Sequence, residues 1–467
     1  MGFLSEDRLF PTEPTARSLA RALYAQVKDA PIISPHGHTD PQWFAQNEPF
    51  EDAAKLFITP DHYVFRMLHS QGVALEDLGV PRADGGAVER DSRKIWRLFA
   101  RHYRLFAATP SRMWIDHALQ DLFGLDQRLS PETADAAFDA INEKLASPAF
   151  RPRALFERFN LEVLATTESA LDDLAHHRRI RDSGWQGRVI TTYRPDAVID
   201  PDFDGFIGNV EAFCAHGGGA VTWESYLAAH HTRRAYFASL GATATDHGHP
   251  TANTANLAQA EAAALFDDVM TGKADPATRE LFRAQMLTEM ARMSVADGLV
   301  MQIHAGSQRN HSDWVLARFG RDKGYDIPQR TDYVTALRPL LQEFGRADGF
   351  HLILFTLDES SYARELAPLA GVYPCLFLGP PWWFHDSYEG MMRFRRSVTE
   401  TAGFYNLAGF NDDTRAFCSI PARHDVARRV DAAYLAELIV TGRLDESEAG
   451  DLMQELTTGL ARRAYKL

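Results

Sequence analysis

Pro31-Ile32-Ile33-Ser34-Pro35-His36-Gly37-His38-Thr39-Asp40-Pro41 is a short apolar run that ends in two histidines. Alternate side chains of an extended segment point the same way. Histidines at i and i+2 therefore present both imidazoles on one side, where one divalent ion can bridge them. The triplet alone is a weak signal, because the chain holds 18 histidines and pairs at this spacing arise by chance. Its weight comes from what recurs along the rest of the chain.

Residues 31–34 are the first of eight apolar, strand-like runs; the others are 161–166, 188–193, 241–245, 299–304, 351–356, 373–378 and 405–410. Stretches 170–181, 254–270 and 387–402 between them have the periodicity of amphipathic helices. Eight strands alternating with helices predict an α/β fold, a parallel (β/α)8 barrel formed as one domain over residues 1–467. Residues 40–160 are too long for a barrel loop and carry Leu, Phe, Trp and Arg at helical spacing. They predict a helical insertion after the first strand, with a separate helical domain as the competing reading.

With 45% hydrophobic and 24% charged residues, the composition is that of a soluble globular protein. No run approaches the roughly 20 apolar residues of a membrane span. The first residues lack a secretory pattern, so a cytoplasmic protein without membrane association is expected. Three scattered cysteines, Cys214, Cys375 and Cys418, support neither a disulfide framework nor a cysteine metal site. A net charge of -14 argues against a nucleic-acid partner. For a small anionic ligand, that charge must be reversed locally by arginines or a metal ion. A homo-oligomer is compatible with the sequence, which sets no stoichiometry.

Catalytic groups of such barrels sit at the carboxyl ends of the strands, and here most runs end in His, Asp or Arg. The first ends in His36 and His38, the third in Arg194 and Asp196, the fourth in Asp246-His247-Gly248-His249. The fifth ends in His304 with Arg309 beyond it, the seventh in Trp382-Trp383, and the eighth in Asp412-Asp413-Thr414-Arg415. First and eighth strands adjoin in a closed barrel, so Asp413 is the expected third ligand to a metal held by His36 and His38. Two imidazoles, one carboxylate and an open position suit zinc or a similar ion. His304 is either a further ligand or a substrate contact. Arg194, Arg309 and Arg415 around one mouth suggest an acidic substrate, since planar guanidinium groups bind carboxylates bidentately. Tyr63 offers a phenol for proton transfer or for orienting a hydroxyl, and Trp382 and Trp383 an apolar wall for a sugar ring.

The pattern resembles the uronate isomerase (glucuronate isomerase) family of the amidohydrolase superfamily. The matching stretches are His36-Gly37-His38, Asp61-His62-Tyr63, Tyr193-Arg194-Pro195-Asp196, Asp246-His247-Gly248, His304 through Arg309-Asn310, Trp382-Trp383-Phe384 and Asp413-Thr414-Arg415-Ala416-Phe417. They run in order over nearly the whole chain, which is far more specific than any one of them. The resemblance implies a distorted TIM barrel of the amidohydrolase type with one divalent ion, usually zinc. It also implies interconversion of D-glucuronate with D-fructuronate and of D-galacturonate with D-tagaturonate. By residue, it implies His36, His38 and Asp413 at the metal, with Tyr63, Arg194, Asp246, His304, Arg309 and Arg415 around a hexuronate.

Hydrolytic members of the superfamily carry a lysine at the fourth strand and a metal histidine at the sixth. Here those ends read Thr245-Asp246 and Thr356-Leu357-Asp358, which disfavours a two-metal hydrolase. An enediol route needs a polarised carbonyl and a base that reaches both carbons. Asp413 and Tyr63 are the two candidate bases, a metal or a cationic arginine such as Arg415 the electrophile, and Arg194 the first choice for the substrate carboxylate. His62, Asp246 and the tryptophans are expected to read the hydroxyls. Two alternatives remain open at this stage: a mononuclear metal-dependent hydrolase, and a non-catalytic sugar-acid binder.

Overall fold

The computed structural model describes residues 2–467. Its first five strands are β1 (Ile32–Ser34), β2 (Leu161–Ser169), β3 (Val189–Arg194), β4 (Ala244–His247) and β5 (Val300–Ala305). A two-stranded antiparallel hairpin, β6 (Ser307–Gln308) and β7 (Ile327–Pro328), intervenes before β8 (Leu352–Thr356) and β9 (Leu376–Leu378). Seven of these form one parallel sheet in the order β1-β2-β3-β4-β5-β8-β9. Every residue of β1, β4, β5, β8 and β9 is buried, as expected for strands covered on both faces.

The eighth expected run, 405–410, forms no strand and contributes a single parallel bridge, Leu378 with Leu407. Gly409 explains why: at φ 79° it lies so close to the helix Leu460–Tyr465 that a Cβ would stand 2.7 Å from the Ala461 nitrogen. The chain turns there before a second pair can form. At the rim the gap is spanned by a loop contact, the His38 N–H donating to the Thr414 carbonyl at 3.1 Å. The architecture is thus a distorted (β/α)8 barrel whose closure depends on one bridge and on loop backbone.

Two of the expected helices start late, for local reasons. Gln259–Met270 begins after a segment whose Thr254 and Ala255 N–H groups bond to Ala336 and Ala284 carbonyls. Ala175–Asp182 begins after a turn in which Leu174 adopts φ 56°. Tyr388–Ala402 starts where the sequence places it, with Ser387 accepting from the Gly390 N–H at 3.1 Å.

The barrel interior is filled by Ile33, Val163, Ala165 and Ile190 on one side and by Val300, Ile353, Phe355 and Phe377 on the other. Ala461 and Tyr465 of the C-terminal helix plug the end opposite the site, and the Tyr465 hydroxyl donates to Gln302 Oε1 at 3.1 Å. Between β1 and β2 the chain is helical, from Pro41–Gln46 through Pro152–Arg158. These helices share an apolar core of Trp96, Phe99, Phe106 and Phe123 that runs on to Ile32, Leu161 and Phe417. We read residues 40–160 as an insertion within one barrel domain, since that core is continuous with barrel residues. The three cysteines are free and buried. Among the described residues no helix is long and apolar enough to cross a membrane.

Candidate active site

The parallel strands all point their carboxyl ends at one rim, so residues distant in sequence meet there. His36 and His38 follow β1, and Asp413 stands beside them at φ 38°, on the loop that the His38–Thr414 backbone bond holds in place. Asp413 Oδ1 lies 3.5 Å from His36 Nε2 and 3.2 Å from His38 Nε2. Donor atoms about 2.1 Å from a tetrahedral ion are about 3.4 Å apart, so this spacing fits a zinc-like ion. His304, at the end of β5, also has a nitrogen within 4.8 Å of His36 and Asp413 donor atoms. Its Nδ1 bonds to Asp246 Oδ1 at 2.6 Å, which fixes the tautomer and leaves Nε2, a buried atom without a partner, as a lone pair. His36, His304 and Asp413 bring donor atoms within 4.8 Å of one another, and His38 joins them through Asp413, so the residues suit a metal ion by donor type.

All twelve site residues expected from the sequence line this one cavity, which has an empty volume of about 720 Å³. The insertion contributes His62 and Tyr63 at the start of the helix His62–His69, where the Asp61 carboxylate accepts from the Tyr63 N–H. Trp383 stacks on His62 at 4.2 Å, and Trp382 meets His304 edge-on at 4.8 Å. Trp383 and Phe384 adopt φ of 23° and 61°, backbone positions costly for aromatic residues and common at ligand clamps. Both ring nitrogens of His62 and the indole Nε1 of Trp383 are buried without partners.

Three arginines converge as expected, but none is isolated. Arg194 Nε donates to Asp196 Oδ2 at 2.8 Å and faces Asp246 Oδ2 at 3.5 Å. Arg309 bonds to Asp326 at 3.1 Å, and Arg415 to the Asp322 carbonyl at 3.4 Å. With Asp61, Asp246, Asp322, Asp326 and Asp413 on the same wall, five carboxyl groups face three guanidinium groups. The arginines alone therefore do not reverse the chain's negative field; a bound cation would contribute what they lack.

The ionisation states divide the two candidate bases. Burial works to raise the Asp413 pKa, but His36 and His38 outweigh it and hold the carboxyl well below its usual range. Burial lowers His36 to about 4, keeping it a neutral ligand. The Tyr63 phenol is pushed far above its ordinary value by burial and by Asp386, to which it donates at 2.9 Å. Asp413 is thus an ionised acceptor and Tyr63 a proton carrier.

Sequence reasoning missed Asp386 and Arg423. Asp386 accepts from Tyr63 and from Arg423 Nη1, both at 2.9 Å, while the Arg423 guanidinium lies 3.6 Å over the Trp114 ring. It also missed the loop between β6 and β7, which brings Asp322 and Asp326 to the wall. Gly324, at φ 77°, lets that loop close on His62, where a Cβ would stand 2.7 Å from the ring.

A family model described as glucuronate isomerase matches residues 2–464. A uronate isomerase of Rhizobium meliloti (strain 1021) is 62% identical over 467 residues, covering all of both chains. The solved structure of glucuronate isomerase from Caulobacter crescentus superposes with a TM-score of 0.97 at 59% identity, covering 99% of this chain and 97% of that one. The uronate isomerase structure from Thermotoga maritima gives a TM-score of 0.92 at 26% identity, with full coverage of both. Agreement of this extent along the entire barrel, insertion included, means that the chain belongs to the glucuronate isomerase family.

Proposed function

We propose that this protein is a uronate isomerase, interconverting D-glucuronate with D-fructuronate and D-galacturonate with D-tagaturonate through an enediol. One observation carries the mechanism: an ionised carboxylate, Asp413, and a proton-bearing phenol, Tyr63, face the same cavity. Aldose-to-ketose conversion moves a proton from C2 to C1 and a hydroxyl hydrogen from O2 to O1. It requires a base on one face of the two carbons and a donor near the two oxygens.

In this reading Asp413 takes the C2 proton and returns it to C1. Tyr63 donates to O1 as the carbonyl electrons shift and is reprotonated from O2, and Asp386 orients the phenol meanwhile. The free terminal nitrogens of Arg194 receive the substrate carboxylate, with Arg309 beside them, and Arg415 adds positive charge where the enediolate develops. His62, Asp246 and Trp383 meet the hydroxyls, with Trp382 as a wall. His36, His38 and Asp413, with His304 beside them, would hold a divalent ion, zinc by donor type, which when bound polarises substrate oxygens and adds positive charge to the site. The placement of the protein in the cytoplasm is part of the same proposal.

Incubation with D-glucuronate followed by carbon NMR tests this. The expected product is the ketose. Saturable binding without a new sugar would mean a binder. Turnover of an ester or lactone without ketose would mean a hydrolase.

A further inference from the structure

We propose that Asp196, His247 and His249 form a second site, for one borderline divalent cation such as zinc or cobalt, outside the isomerase cavity. Adjacent strand residues point to opposite faces. Asp246 of β4 faces the cavity and His247 does not: Asp246 and His304 line the cavity, whereas His247 and His249 are absent from its wall. Asp196 follows β3 and His249 follows β4, so the two strand ends bring the three side chains together. One donor atom from each lies within 4.8 Å of the other two.

The hydrogen bonding around the cluster leaves buried ring nitrogens without partners beside a carboxylate. The Thr245 hydroxyl lies 3.5 Å from the Val300 carbonyl, its acceptor, and 3.0 Å from His247 Nε2. The Nε2-protonated tautomer of His247 would donate to the threonine oxygen. His247 Nδ1 is then a bare lone pair, buried and without a donor. His249 is 2% exposed, and neither of its ring nitrogens has a partner. Asp196 accepts from Arg194 Nε at 2.8 Å and from the Gly248 N–H at 3.2 Å, which leaves lone pairs unused on a carboxylate with about four acceptor sites. An imidazole lone pair, a carboxylate and a second imidazole that can turn a lone pair inward make a coherent ligand set for one cation.

The surroundings favour a cation despite Arg194. Arg283 is engaged by Asp200, Asp202 and Glu280, and Arg279 also pairs with Asp202, so three carboxylates share two guanidinium groups beside His249. Two imidazoles and one carboxylate select zinc, cobalt or nickel over magnesium or calcium. The Thr245 contact to His247 supplies the outer hydrogen bond that such ligands use to fix their orientation. Asp196 and Gly248 also line a neighbouring cavity with an empty volume of about 840 Å³, which shares Arg194, Arg309, Asp322 and Arg415 with the isomerase cavity.

Metal-free protein titrated with cobalt, followed by its visible d–d absorption and by equilibrium dialysis, tests the site. The wild type should bind two equivalents. His247→Ala/His249→Ala should bind one, and His36→Ala/His38→Ala should keep the one that the first pair loses. Should the first pair fail to fold, zinc-edge anomalous diffraction from wild-type crystals decides, with a peak expected among Asp196, His247 and His249. No anomalous peak there, or two equivalents retained by a folded His247→Ala/His249→Ala protein, would overturn the proposal.

Discussion

Gly248→Ala displaces the arginine heads without replacing an arginine. A Cβ at residue 248 would lie 2.6 Å from Arg194 Nη2, 2.9 Å from Asp196 Oδ2 and 3.1 Å from Arg309 Nη2. These are the far ends of side chains that can swing, and Gly248 has an ordinary φ, so the fold should tolerate the methyl group. Restoring ordinary contact at 3.4 Å pushes the Arg194 head by about 0.8 Å. That displacement is enough to spoil a charge-assisted hydrogen bond whose useful range spans only a few tenths of an ångström. Losing one such bond to the substrate carboxylate costs about 1.5–3 kcal/mol, or roughly 13- to 160-fold in KM. Steady-state kinetics on D-glucuronate with a parallel thermal melt should show the raised KM, a smaller change in kcat and a nearly unchanged Tm. Arg194→Ala should raise KM at least as far. A folded Gly248→Ala protein with wild-type KM would refute the assignment of these arginines to the carboxylate.

Asp386→Ala should cost about 3 kcal/mol in urea unfolding, because it leaves the Arg423 guanidinium, with its side chain 3% exposed, without its nearest countercharge. A loss below about 1 kcal/mol would mean that the Asp412 carbonyl, 3.2 Å away, compensates the charge by itself. Glu168 gives a pH test away from the cavity. Burial raises its pKa to about 8, against the lowering effect of hydrogen bonds from Thr166 and Thr191. Its raised folded pKa means that its contribution is fullest below the unfolded value of 4.5 and is lost as pH rises to about 8. Glu168→Gln should therefore gain on the wild type between pH 5 and 8 and hold a constant advantage above, as read by unfolding at several pH values; a pH-independent difference would disprove it.

What was legible in the sequence follows from what each residue must do locally. β-Branched and apolar runs such as Ile32-Ile33 and Val189-Ile190 betray buried parallel strands, and His36, His304 and Arg194 stand directly at their ends. Asp413 was accessible through barrel closure, although the closing element proved to be a loop contact, because Gly409 packs on Ala461 where a strand would continue. Arg423 was hidden for a different reason. It lies on the helix Ile420–Val440, which is buried nearly all round, so no polar face marks it as unusual. Asp322 and Asp326 reach the wall through a hairpin of two-residue strands, too short to leave a periodic signal. The pairing of each cavity arginine with an aspartate is likewise a property of loop geometry that spacing along the chain does not encode.

Exchange of the C2 hydrogen tests the central claim most directly. D-Glucuronate incubated in heavy water with ion-replete enzyme should give ketose carrying solvent deuterium at C1, read by proton NMR. Ion-replete Asp413→Asn protein, its metal content verified, should neither form ketose nor exchange the hydrogen at C2. Continued C2 exchange by that variant would contradict the account by removing Asp413 as the base.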